Sequence, residues 1–158
     1  MIPARWAKGV RLTSAQTPGD AYSLDLAGGR IERWTASETG GLDAKIFSSP
    51  ELIRWKSFDQ RMISGWLYRP PARFTGKRPV VIDIHGGPES QFRPGFLGAK
   101  NHWLNELGVV LVFPNVRGSA GYGKTFLRLD NGLLREDSYR DIGALLDWIA
   151  DQPGLDAD

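Results

Sequence analysis

The stretch that most constrains this chain runs Arg78-Pro79-Val80-Val81-Ile82-Asp83-Ile84-His85-Gly86-Gly87-Pro88. Residues 80–84 are short, β-branched and bounded by a proline and two glycines, which predicts a buried strand. The His85-Gly86-Gly87-Pro88 turn that follows has two consecutive residues without a Cβ, so its backbone can come close to another group. A second apolar run, residues 109–113, follows a segment with helical spacing at Phe96, Leu97, Trp103, Leu104 and Leu107. Gly108 should close that helix. Strand, helix and strand in that order, with continuous apolar strands, predict a parallel sheet flanked by helices.

Before this unit the sequence reads as hairpins. Residues 10–13 and 22–26 alternate apolar and polar, with Thr17-Pro18-Gly19-Asp20 read as a turn, and Gly28-Gly29 joins the second run to residues 31–34. Residues 36–49 are polar and glycine-containing, a loop or linker. Residues 51–58 and 62–68 form a further hairpin around Asp59-Gln60. Beyond the second apolar strand, which Pro114 is expected to stop, residues 136–150 give the clearest helix. Its apolar face is Tyr139, Ile142, Leu145, Leu146 and Ile149, and Asp137 lies near its start, where the helix dipole favours a negative charge.

Bulk properties exclude several classes. With 41% hydrophobic and 24% charged residues over 158, the chain is of ordinary globular composition. Its net charge of +2 is scattered, with no basic stripe, so no nucleic-acid partner is expected. It has no cysteine, which removes disulfides and thiolate metal sites. No apolar run is long enough for a membrane span, and the N-terminus shows no signal-peptide core. The expected location is cytoplasmic.

Two glycine segments compete as the functional centre. Gly118-Ser119-Ala120-Gly121-Tyr122-Gly123-Lys124-Thr125 satisfies G-x-x-x-x-G-K-[ST], the pattern of a phosphate-binding loop. Its context is wrong for that role. Four residues separate it from the preceding strand, Asn131-Gly132 interrupts the helix that should follow, and no later strand supplies a metal-holding Asp.

The other candidate pairs His85-Gly86-Gly87-Pro88 with Asn115-Val116-Arg117-Gly118-Ser119-Ala120-Gly121-Tyr122-Gly123. Together with Pro50-Glu51-Leu52-Ile53-Arg54-Trp55-Lys56-Ser57-Phe58-Asp59, Gly65-Trp66-Leu67-Tyr68-Arg69-Pro70 and Arg135-Glu136-Asp137-Ser138-Tyr139-Arg140-Asp141-Ile142, this pair resembles the prolyl oligopeptidase family of serine peptidases, in particular its acylaminoacyl-peptidase-like members. The resemblance covers most of residues 50–158. It implies an α/β fold: residues 50–158 as the first strands and helices of an incomplete α/β-hydrolase domain, preceded over residues 1–49 by the hairpins of a partial β-propeller blade and a linker.

The resemblance also implies roles. In acyl transfer the backbone N–H of Gly87, in the Gly86-Gly87 loop, would be one oxyanion donor, and the residue after the nucleophile would supply the other. Some members of the family carry a tyrosine at the position of His85 and use its hydroxyl on the oxyanion; here His85 is read as holding the loop's shape. Pro88, Arg117 and Tyr122 shape the site, Arg117 by bracing neighbouring loops through an ion pair. Asp83 is read as a strand residue with a local partner and His102 as helix surface.

No G-x-S-x-G elbow occurs, the nearest match being Arg117-Gly118-Ser119-Ala120-Gly121. Neither His85 nor His102 follows a serine and an acid in the order the triad requires. The chain is therefore expected to hold no catalytic residue, metal or cofactor, to supply half of an oxyanion hole, and to be inactive alone. The intact enzyme would act on peptide substrates by acyl-enzyme chemistry; a homo-oligomer is left open. An esterase-type hydrolase and a non-catalytic assembly domain stand as alternatives beside the phosphate-loop reading.

Overall fold

The computed structural model describes residues 7–87 and 89–157. Two sheets organise them. The first is an antiparallel meander of β1 (Ala7–Ser14), β2 (Thr17–Asp25) and β3 (Ile31–Arg33). Gly28-Gly29 lies in the β2–β3 connection as expected, with Gly29 at φ 69° and its N–H donated to Asp25 O at 2.8 Å. The β1–β2 connection corrects the sequence reading. Thr17-Pro18-Gly19-Asp20 is not a turn but the start of β2, and the chain reverses at Ala15-Gln16, with Ser14 opposite Thr17. Ser14 Oγ accepts the Gln16 N–H at 3.1 Å and so closes that tighter turn. A register shift between Leu12 and Ser14 absorbs Pro18 and Gly19 into the strand.

The second sheet has the order β4-β5-β7-β6-β8: β4 (Glu51–Lys56), β5 (Met62–Tyr68), β6 (Arg78–Ile82), β7 (Val110–Asn115) and β8 (Leu155–Asp156). β4, β5 and β7 pair antiparallel, while β6 runs parallel to both β7 and β8. The expected hairpin turn at Asp59-Gln60 is present, with Gln60 at φ 64°. α1 (Asn101–Asn105), the short α2 (Lys124–Leu127) and α3 (Arg135–Ala150) complete the layers.

β7 is the centre of the molecule, with all six of its residues buried. Its two faces feed separate cores. Val110 and Val112 pack with Ile53, Trp55, Ile63 and Leu67 against Leu145 and Ile149 of α3. Leu111 and Phe113 pack with Tyr68 against Leu104 of α1. α1 and α3 therefore lie on opposite faces of the sheet.

Four expectations change here. β6 ends at Ile82, although Asp83 N–H still donates to Val112 O at 2.8 Å, and β6 is only half-buried because β8 covers no more of its outer side than Arg78 and Pro79. The helix expected over residues 96–107 is shorter: a 3-10 turn (Gly98–Lys100) leads into α1, because Gly98 at φ 56° interrupts any helix running through it. Gly108, at φ 65°, follows that helix as expected. Pro114 does not stop β7 but pairs with Gly65. By the parity of the Asp83–Val112 bond, Pro114 faces the side where β6 has already ended, so its missing N–H deprives no partner. Finally, α3 is rotated from its expected face. Ser138 and Asp141 are buried with Leu145 and Ile149, while Tyr139 and Leu146 are 66% and 53% exposed.

Candidate functional site: the glycine loop after β6

The backbone that leaves β6 turns at Gly87, whose φ of 124° is open to glycine alone. A Cβ there would stand 3.0 Å from Glu89 N and 3.1 Å from Ser90 N, whereas one on Gly86 would meet nothing. Both glycines are exposed, and among the described residues neither N–H has an acceptor. Pro88 lies outside the described residues.

The second glycine segment holds this loop in place. His85 Nε2 lies 2.9 Å from Ser119 Oγ, which donates its own proton to Val116 O at 2.6 Å. Ser119 therefore accepts from His85. Ala120 N–H donates to Ser90 O at 2.8 Å. The buried Asn115 amide takes the Phe92 N–H at 2.9 Å and returns a bond to Phe92 O at 3.1 Å. It also donates to the Tyr122 hydroxyl at 3.0 Å, which lies 3.0 Å from Ser64 Oγ, while the Tyr122 ring packs on Phe126.

These bonds count against the phosphate-loop reading of residues 118–125. A phosphate cradle needs free N–H groups, but those of Gly118, Ser119 and Ala120 are donated to Phe126 O, Val116 O and Ser90 O. The Ser119–His85 pair is not a nucleophile and base either. Ser119 is wholly buried with its proton committed, and His85 Nδ1 faces Gly86 O with no carboxylate to orient it.

Arg117, 3% exposed, is the hub beneath both loops. Its Nε and Nη2 grip Asp141 Oδ2 and Oδ1 at 2.9 and 2.7 Å, and its own N–H donates to Oδ2 at 2.9 Å. Its other contacts reach Asp59 at 3.1 Å and Asp137 at 3.5 Å. Ser57 Oγ donates to Asp141 Oδ1 at 2.5 Å, and Trp55 Nε1 to Asp141 O at 3.0 Å. One side chain thus ties the β4–β5 turn, the loop after β7 and α3 together. Burial disfavours the guanidinium charge, but the carboxylates of Asp141 and Asp59 outweigh it and hold the group more basic than usual. Asp59 shows the converse: burial would raise its carboxyl, yet the Arg117 hydrogen bond and the Arg61 N–H bring it below the ordinary range.

Asp83 has the local partner expected of it, an ion pair with Lys100, and His102 is exposed on α1. Among the described residues no cluster of His, Asp and Glu is placed to hold a metal ion. Sequence reasoning gave no role to Asn115, Ser119 or Asp141. A buried arginine announces that carboxylates must meet it, but which of the chain's 18 do so is decided by the rotation of α3. A groove of about 220 Å³ opens beside the loop, lined by Ile84, His85, Gly87, Val116, Tyr139 and Ile142 among others.

The comparisons with known proteins agree with this geometry. Residues 95–158 match the model of the prolyl oligopeptidase family. Over 138 residues the chain is 30% identical to the uncharacterized peptidase YuxL of Bacillus subtilis (strain 168), a match covering 86% of this chain and 20% of that protein. The chain belongs to the prolyl oligopeptidase family. Its fold is that of puromycin hydrolase, with a TM-score of 0.80 at 23% identity over 96% of this chain and 23% of the other. It also matches Pyrococcus horikoshii acylaminoacyl peptidase, with a TM-score of 0.71 at 27% identity over 92% of this chain and 23% of that one. The five-stranded sheet with its helices is α/β-hydrolase structure, and the meander before it is the region of a β-propeller blade. The chain spans about a fifth of the length of the first curated relatives it matches.

Proposed function

We propose that these residues supply the oxyanion-loop half of a serine-type peptidase site acting on peptide substrates, with the nucleophile, acid and base contributed by sequence beyond the 158 residues. In the reaction, a serine Oγ attacks the scissile carbonyl carbon, and its proton passes through a histidine to the leaving amine. Water then releases the acyl group by the same route reversed. The carbonyl oxygen gains charge in each step, and the Gly87 N–H answers it. Gly86 gives the loop room to approach, and His85, Arg117 and Tyr122 hold it.

The observation that carries this reading is the contrast between the two glycine segments. In one, the N–H groups of Gly118, Ser119 and Ala120 are donated to backbone carbonyls, while in the other those of Gly86 and Gly87 are exposed and without an acceptor among the described residues, Gly87 at the wall of an open groove. Relatives named as peptidases, among them dipeptidyl aminopeptidase BIII of Pseudoxanthomonas mexicana, favour peptide over ester substrates. Read alone, the 158-residue polypeptide is inactive, since it contains no G-x-S-x-G.

The test uses the intact polypeptide that carries these residues. Gly87→Ala forces a Cβ against Glu89 N and misdirects the donor, so kcat should fall roughly 10²–10³-fold, the usual cost of one oxyanion donor, with KM little changed. Gly86→Ala keeps its N–H and meets no atom, so it should stay within about threefold of wild type. Equal behaviour of the two variants would remove Gly87 from the role.

A further inference from the structure

We propose that His85 is a proton-operated positioning residue for the Gly87 donor. With both ring nitrogens protonated it holds the peptide between Gly86 and Gly87 in the orientation the oxyanion needs, and when the ring loses a proton that peptide is free to turn. The inference rests on Gly87 being the donor, as proposed above.

His85 Nε2 lies 2.9 Å from Ser119 Oγ, and that hydroxyl has already given its proton to Val116 O at 2.6 Å. Nε2 therefore carries a hydrogen. Nδ1 lies 3.2 Å from Gly86 O, a carbonyl oxygen with nothing to donate. A neutral ring would set a bare nitrogen lone pair against that oxygen, and only the imidazolium donates from both positions. The carbonyl it reaches is half of the peptide whose other half is the Gly87 N–H. That unit is planar, with its C=O and N–H pointing in opposite directions, so a hold on Gly86 O from one side fixes the N–H on the other. The same bond draws charge toward the carbonyl oxygen and makes the N–H a stronger donor. Without it, a peptide flanked by two glycines has no Cβ to limit its rotation, and even a Cβ built on Gly86 would meet nothing.

The surroundings of the ring make this hold reversible. Its acceptors are a hydroxyl and a carbonyl, with no carboxylate paired to it among the described residues. From α3, Arg135 and Tyr139 line the same groove, where Arg135 adds a like charge. From the loop after β7, Arg117 is bound by Asp141, Asp59 and Asp137. On the ring's own segment, Asp83 pairs with Lys100 and Glu89 is exposed. Histidine is also the side chain that ordinarily gains or loses a proton between about pH 5 and 8.

The test follows the rate at which a fluorophosphonate labels the intact polypeptide from about pH 5 to about pH 9. The wild-type rate should rise as the triad base loses its proton and then fall on the alkaline side as His85 loses its hold. His85→Gln, which cannot titrate, should label at least about tenfold more slowly at the wild-type optimum and show no alkaline fall. Ser119→Ala keeps the ring but removes one of its acceptors, so its fall should begin at lower pH, and it carries the test if His85→Gln fails to fold. An alkaline fall unchanged in both variants, or a loss of rate that is uniform across pH, would make His85 a plain strut and overturn the proposal while Gly87→Ala remained slow. A wild-type polypeptide that takes no label at any pH would instead overturn the peptidase reading, and this inference with it.

Discussion

Removing the Arg117 guanidinium would strand Asp141, a carboxylate with 0% exposure, against the apolar side of α3. Breaking such a buried pair typically costs about 3–5 kcal/mol, so Arg117→Met should lower the unfolding free energy by that much in denaturant titration. Arg117→Lys should recover little of it, since an ammonium cannot reproduce the two-point grip on Oδ1 and Oδ2. Acid should weaken the same hub through Asp59. Its carboxyl is held below the ordinary value, so its stabilisation is complete above the unfolded carboxylate range and is lost as pH falls through its lowered pKa. Thermal melts followed downward from about pH 5 should show that loss, and Asp59→Asn should flatten it. At this scale the sequence was only partly legible. Arg117 as an ion-pairing brace could be read from its motif, but its carboxylates come from positions 24 and 58 residues away and appear only once the chain has folded.

β7 and β5 show how elements carry information that residue lists do not. The apolar run that became β7 was legible because five consecutive hydrophobic residues have few other fates. Its continuation through Pro114 was not, since whether proline breaks a strand depends on which neighbour its nitrogen faces. Gly65 completes that pairing. A Cβ there would sit 2.8 Å from Phe113 O and 3.0 Å from Pro114 Cα, backbone atoms that cannot yield. Gly65→Ala should therefore destabilise by about 1–3 kcal/mol, read as a lowered denaturation midpoint with an unchanged slope. β6 was legible as a strand from its short β-branched run. Beyond Pro79 its outer side has no partner strand among the described residues, and Val81, Ile84, Tyr139 and Leu146 are exposed nearby. An open edge beside apolar surface promotes self-association. The 158-residue polypeptide should elute from a sizing column as mixed oligomers, and Ile84→Lys should shift it toward monomer. A monodisperse wild-type chain with one cooperative melt would contradict this.

Across the whole molecule, the alternation of strand and helix was enough to place a partly parallel sheet, and the two glycine segments were enough to find the loop. The meander's first turn and the face of α3 were not, because both are set by side-chain hydrogen bonds rather than by periodicity. The proposed function makes these residues half of an acyl-transfer site whose nucleophile lies in further sequence. Labelling with a fluorophosphonate, which traps an activated serine through a tetrahedral phosphorus that fills the oxyanion hole, tests it most directly. The 158-residue chain should take no label. The longer polypeptide should take one label per chain on a serine outside these residues, at a rate that Gly87→Ala cuts by at least about a hundredfold. Labelling at Ser119, or full-rate labelling in the Gly87→Ala variant, would contradict the account.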